Sequence, residues 1–244
     1  MMPLHKTPAI SIAHLKLAYA NTPVFDDISL HLPNGKWVGL LGQSGVGKST
    51  LLRLIAGLAM PEATFSGRIT TETGLALHEQ ISFMAQTDLL LPWLTVRDNA
   101  SLGAKLRGAA SSDADDLLGQ VGLGNCLDQY PHQLSGGMRQ RVALVRTLLE
   151  KKPIVLMDEP FSALDTMTRY KLQELACQML KDKTVLFITH DPMEALRLAD
   201  DIYILQGKPA RLRHAAQLHS ATPRDISDPA IVCLHQDLLR QLCA

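Results

Sequence analysis

The sequence predicts an α/β protein with a mainly parallel sheet, an N-terminal antiparallel β part and an inserted α-helical lobe. Three observations carry this. Short runs with apolar interiors ("KWVGLLG", "PIVLMDE", "TVLFITH") alternate with helical patterns, as strands covered on both faces do. The first run leads into "GQSGVGKST", a glycine-rich loop that opens a helix. From about Thr87 to Tyr130 the texture turns helical and polar-faced, with Gly and Ser breaks.

In chain order, "AISIAHLKLAY" alternates apolar and polar residues and reads as a strand. "FDDISLHLPNG" repeats the pattern and ends in a Pro-Asn-Gly turn. After the apolar run and its loop, "STLLRLIAGLAMP" has helical spacing and stops at Gly57 and Pro61. "SGRITTETG" and "EQISFMAQ" read as two more strands. In the lobe, "TVRDNASLGAKLRG" and "SDADDLLGQVGLGNCLDQY" are helical, with Ser112 as an N-cap. Helices follow at about Gly137 to Glu150, about Thr168 to Leu180 and around "MEALRLA", between apolar strands; "DIYILQGK" is expected as the last strand. This gives a core over 1–87 and 133–208, a helical subdomain over 88–132 and a short helical tail over 209–244.

The length, 244 residues, suits one large domain with an inserted lobe. Lys+Arg and Asp+Glu balance at 24 each, without the basic surplus of a nucleic-acid binder. No apolar run approaches the roughly 18 residues that span a bilayer, and the start has no secretion signal. Cys126, Cys177, Cys233 and Cys243 fall in no metal-ligand spacing, so reduced packing cysteines in a cytosolic protein are expected.

Gly42-x-x-x-x-Gly47-Lys48-Ser49 is a complete phosphate-loop pattern in its proper context, after a strand and before a helix. Gly42, Gln43, Ser44, Gly45, Val46 and Gly47 turn backbone N–H groups toward anionic phosphates, and the helix N-terminus adds its dipole. Lys48 supplies a charge to the β- and γ-phosphates, Ser49 a ligand for Mg²⁺ and Thr50 an α-phosphate contact. Asp158 and Glu159 arrive at the C-terminal end of an apolar strand, where open α/β sheets bind ligands. Asp158 is read as holding Mg²⁺ through water, and Glu159 as orienting or deprotonating the attacking water. His190 and Gln86 sit at two further strand ends; His78, His132 and His214 are read as structural. "LSGGMRQ" offers a second glycine turn at a helix start, without a lysine.

Together these residues resemble the ATP-binding cassette (ABC) family over nearly the whole chain. The matching motifs are the phosphate loop, Gln86 as the Q-loop, "LSGGMRQ" at Leu134 to Gln140 as the signature, "IVLMDE" ending in Asp158 and Glu159, "SALD" at Ser162 to Asp165 as the D-loop, and His190 as the switch histidine. The resemblance implies a phosphate-loop ATPase core using ATP and Mg²⁺, with Ser49, Gln86 and Asp158 around the metal. It implies that Tyr19 stacks on adenine. It also implies a dimer of two copies, head to tail, in which Ser135, Gly136 and Gly137 bind the γ-phosphate held by the partner's loop and Asp165 reaches across. The missing lysine then comes from the other chain.

"TDLLLPWLTVRDNASLGAKLRG" and the tail "RDISDPAIVCLHQDLLRQL" resemble the nitrate, sulfonate and taurine importers within the family, and "ISFMAQTDLLLPWLTVRDNASLGAKLRG" is similar to ATPases of thiamine-pyrimidine-precursor (hydroxymethylpyrimidine) uptake. Gln43 and Val46 depart from the Pro and Cys common there. The implied partners are transmembrane permease subunits seated in a groove between the Q-loop and the helical lobe, and indirectly an external substrate-binding protein. The implied location is the cytoplasmic face of the inner membrane. A soluble, non-transport ABC ATPase is the competing reading; it fits less well because the chain has one cassette and no heptad run.

Overall fold

The structure is a computed structural model that describes residues 7–20, 22–73, 75–109 and 113–243. Ser112, read as an N-cap, lies outside them. The N-terminal half runs β1 (Ile10–Tyr19), β2 (Thr22–Leu32), β3 (Trp37–Leu41), α1 (Lys48–Ile55), β4 (Ala63–Thr71), α2 (Leu77–Gln80) and β5 (Ile81–Met84). The lobe holds α3 (Val96–Ala100), α4 (Leu102–Leu106) and α5 (Ala114–Gln120). Then come α6 (Gly136–Leu149), β6 (Ile154–Asp158), α7 (Thr166–Met179), β7 (Thr184–Ile188), α8 (Pro192–Leu198), β8 (Asp201–Gln206), β9 (Arg211–Gln217) and α9 (Pro229–Cys243).

Two sheets form. One is antiparallel, in the order β2-β1-β4. The other has the order β5-β6-β7-β3-β8-β9 and is parallel from β5 to β8. Alternation along its strands divides the core in two. Val38, Leu40, Ile154, Leu156, Leu186 and Ile188 pack toward α1 and the antiparallel sheet. Trp37, Leu41, Val155, Met157, Val185 and Phe187 pack with residues of α6, α7 and α8. With both faces covered, the strands have no polar face, hence the unbroken apolar runs. Each such side chain contributes roughly 1.5–3 kcal/mol by burial.

One expectation is corrected. Residues 209–244 are not wholly helical, and "DIYILQGK" is not the last strand: Arg211–Gln217 form β9, antiparallel to β8, before α9 begins at Pro229. β9 is an edge strand, and Arg211, Arg213 and His214 are exposed, so its sequence lacks the apolar alternation that marks a half-buried strand.

Candidate nucleotide site

The site is built where the parallel strands end. Leu41 closes β3, and Gly42 turns the chain at φ 153° against β8, where an added Cβ would run into the Leu205 carbonyl oxygen. Only glycine fits that approach. The loop delivers Lys48 to the first position of α1. Lys48 Nζ donates to the carbonyl oxygens of Gly42 at 2.8 Å and Gln43 at 2.9 Å, folding the cation back over its own loop. Burial lowers the pKa of this ammonium, while Glu159 and Asp158 oppose the shift. Burial likewise raises the pKa of Asp158, opposed by its hydrogen bond with the Ser49 side chain and by Lys48, with Glu159 adding to the rise. A lysine, a serine hydroxyl and two carboxylates thus share one mouth.

Glu159 follows β6 directly and adopts φ 50°, a left-handed conformation that costs a non-glycine residue free energy. Its N–H donates to the Ile188 carbonyl oxygen at 3.0 Å, which pins the turn to the end of β7. The side chain is mostly buried, and its Oε2 lies 3.4 Å from His190 Nδ1. The pairing of Met84 with Met157 places the exposed Gln86, two residues past β5, level with Glu159. Tyr19 ends β1 and is partly exposed, its hydroxyl 3.7 Å from Met60 Sδ.

The second glycine turn starts α6. The Ser135 hydroxyl caps the helix by accepting from the Met138 N–H at 3.2 Å. Gly137 lies against the D-loop: an added Cβ would stand 3.0 Å from the Ala163 carbonyl oxygen. Asp165 caps α7 by accepting from the Thr168 N–H at 3.0 Å, a bond that also lowers its pKa. Sequence reasoning gave no role to Gln140, the last residue of the quoted signature. Its amide bridges the Glu159 carbonyl oxygen and the Ala163 N–H, both at 2.9 Å. The only signal for it was its place on the α6 face that meets the D-loop.

A phosphate loop after β3, with an acid pair at the end of β6 in the same parallel sheet, defines a phosphate-loop nucleotide-binding protein. A sequence model of the ABC transporter family matches residues 25–162. Two curated relatives span nearly the whole chain. The uncharacterized ABC transporter ATP-binding protein of Haemophilus influenzae is 40% identical over 96% of this chain and 98% of its own length. The aliphatic sulfonates import ATP-binding protein SsuB of Delftia acidovorans is 42% identical over 96% of this chain and 94% of its own. Among solved structures, the dimeric post-hydrolysis state of the ATP-binding cassette MJ0796, bound to ADP and Pi, superposes with a TM-score of 0.74 at 29% identity, covering 87% of this chain and all of that one. The chain belongs to the ABC transporter family and is an ATP-binding, ATP-hydrolysing member of it.

Proposed function

We propose that this chain is the ATPase subunit of a membrane importer for aliphatic sulfonates, working as a dimer of identical subunits at the cytoplasmic face of the membrane. The observation that carries the hydrolytic reading is the strained Glu159, pinned to β7 with its carboxylate 3.4 Å from His190. Curated relatives named for aliphatic sulfonate import favour that cargo over the thiamine pyrimidine precursor. No described helix is long and apolar enough to cross a membrane; in this reading permease subunits supply the transport path.

In this reading the backbone N–H groups from Gly42 to Gly47 cradle the phosphates, with Thr50 behind them and Tyr19 stacked on adenine. Lys48 swings from its loop carbonyls to the β/γ-phosphates. The oxygens of Ser49, Asp158 and Gln86 fit a hard divalent cation, which binds through few protein ligands plus phosphate; Mg²⁺ would neutralise charge on the β/γ-phosphate oxygens. Glu159 takes the proton of the attacking water and His190 orients it. Ser135, Gly136 and Gly137 present a helix N-terminus to the γ-phosphate on the partner's loop, with Asp165 alongside, so both sites form only when two copies close.

The test is Glu159→Gln. Turnover falls by about 10²–10⁴-fold, the worth of a general base, and an ATP-bound dimer accumulates on size exclusion. Near-normal turnover removes Glu159 from the role. The cargo is tested on the reconstituted complex: ATPase stimulated by a sulfonate-loaded binding protein supports the assignment, and stimulation by hydroxymethylpyrimidine alone refutes it.

A further inference from the structure

Two helices lead away from the site. α7 follows the D-loop directly, and α8 follows His190 after Asp191. Spacings of four and three residues put Arg169 with Gln173 on one face of α7, and Glu194 with Arg197 on one face of α8. These four residues line one small cavity of about 40 Å³. Gln173 is 1% exposed and Glu194 6%.

Both arginines are largely engaged already. Arg169 Nη2 donates to the Leu164 carbonyl oxygen in the D-loop at 3.0 Å, and its Nη1 lies 3.7 Å from Asp191 Oδ2. Arg197 donates to the Arg224 carbonyl oxygen at 2.8 Å and to Glu174 Oε1 at 3.2 Å, and stacks on Tyr170 with 4.7 Å to the ring centroid. What remains is Arg169 Nε, Arg197 Nε, Gln173 Oε1 and Glu194 Oε1. Among the described residues, these are the buried side-chain polar atoms without a protein partner, and all four residues line this cavity. Leaving such atoms unpaired forfeits the hydrogen bonds they make with water in the unfolded chain. The two N–H groups are donors and the glutamine oxygen is an acceptor, while the Glu194 carboxyl can accept or, carrying its proton, donate. An anion would leave the glutamine oxygen unpaired and a cation the N–H groups, whereas water both donates and accepts, and the space suffices.

We propose that this cavity is a built water site whose one or two ordered waters join the D-loop helix to the switch-histidine helix, making Glu194 a positioning residue for hydrolysis. The waters complete a link from Leu164, through Arg169, to the helix that carries the turn of His190. The positioning role rests on the reading of Glu159 and His190 given above; the water site does not.

The two parts are tested separately. A crystal structure of the full chain at a resolution that defines solvent, from crystals also soaked in bromide, shows water density within hydrogen-bonding distance of Glu194 Oε1 and Gln173 Oε1. A dry cavity, or an anomalous bromide peak inside it, overturns the site. For the positioning role, Glu194→Leu lowers kcat about tenfold at unchanged KM for ATP, the scale of a small misplacement of catalytic groups. Glu194→Gln, which keeps an oxygen in place, recovers most of that loss. Gln173→Met gives the same kcat loss and serves if the leucine variant does not fold. Wild-type kcat in either apolar variant, or an effect on KM alone, overturns the role. Loss of turnover in Glu159→Gln with wild-type kcat in Glu194→Leu would leave the proposed function standing and remove only this one.

Discussion

The Gln140 side-chain amide donates to the main-chain oxygen of Glu159 at 2.9 Å. The same amide's oxygen accepts from the Ala163 N–H at 2.9 Å. The helix that presents the signature turn is thereby fastened to the acid of its own site and to the D-loop. An event at the N-terminus of α6, such as engaging a partner's nucleotide, has a short hydrogen-bonded route back to Glu159.

Gln140→Leu tests that route. It strips the exposed Ala163 N–H and the Glu159 carbonyl oxygen of a partner, costing about 1 kcal/mol, or roughly 2–4 °C in Tm for a chain of this size. Turnover falls at temperatures where the variant is fully folded. Unchanged turnover together with a lowered Tm would reduce Gln140 to a structural role.

Ser135→Arg separates binding from hydrolysis. Loss of the helix cap costs about 1 kcal/mol, so the chain folds. Binding of a fluorescent ATP analogue to the monomer stays close to wild type, because the phosphate loop is intact, while the arginine blocks the turn that a partner's γ-phosphate must reach. Hydrolysis is expected to vanish, and retained hydrolysis would show that the signature does not act across a dimer.

How much of this was legible beforehand follows from how local each feature is. The turn at Gly42 and the placement of Lys48 are consequences of a strand, a glycine loop and a helix in sequence, and the motif states all three. Asp158 and Glu159 could be placed at a strand end because four apolar residues precede them. β9 was missed because an exposed edge strand has no hydrophobic face to leave a period. Gln140 and the four polar atoms around Glu194 were invisible for a different reason. Gln140 bonds residues 19 and 23 positions along the chain, and the four unpartnered atoms sit on two separate helices, so only the packing of α6 on the D-loop and of α7 on α8 brings them together.

Glu194 also predicts a pH dependence of stability. Its pKa is raised from 4.5 to about 8, first by burial and then by the negative charges of Asp191 and Glu159; the Thr189 hydrogen bond and Arg169 oppose the rise. The folded chain therefore holds a proton that the unfolded chain releases. The contribution is complete below pH 4.5 and is lost as pH rises toward 8, with a slope of up to about 1.4 kcal/mol per pH unit. Urea midpoints should fall across this window, and Glu194→Gln should flatten the fall. A wild-type slope in that variant excludes Glu194 as its source.

The loop after Gln86 supplies the last prediction. Leu89 and Trp93 are 61% and 69% exposed, although Leu90 beside them packs on the core. The loop is held firmly while presenting them. The fully buried Asn99 accepts from the Leu91 N–H at 2.8 Å and donates to the carbonyl oxygens of Leu91, Leu94 and Thr95. Arg146 donates to the carbonyl oxygen of Leu89 at 2.9 Å and to that of Asp88 at 2.6 Å. An exposed apolar pair on a rigid loop is the arrangement of a docking surface, since little ordering entropy is spent on binding. In the proposed importer the permease subunits dock here. Trp93→Ser removes little buried surface from the free subunit, so its Tm shifts by no more than the equivalent of about 0.5 kcal/mol. Loss of an aromatic anchor of about 2 kcal/mol should weaken assembly with the permease about 30-fold. Co-purification of the complex and transport in vesicles are the readouts. Wild-type assembly by a double Leu89→Ser, Trp93→Ser variant would move the docking surface elsewhere on the chain.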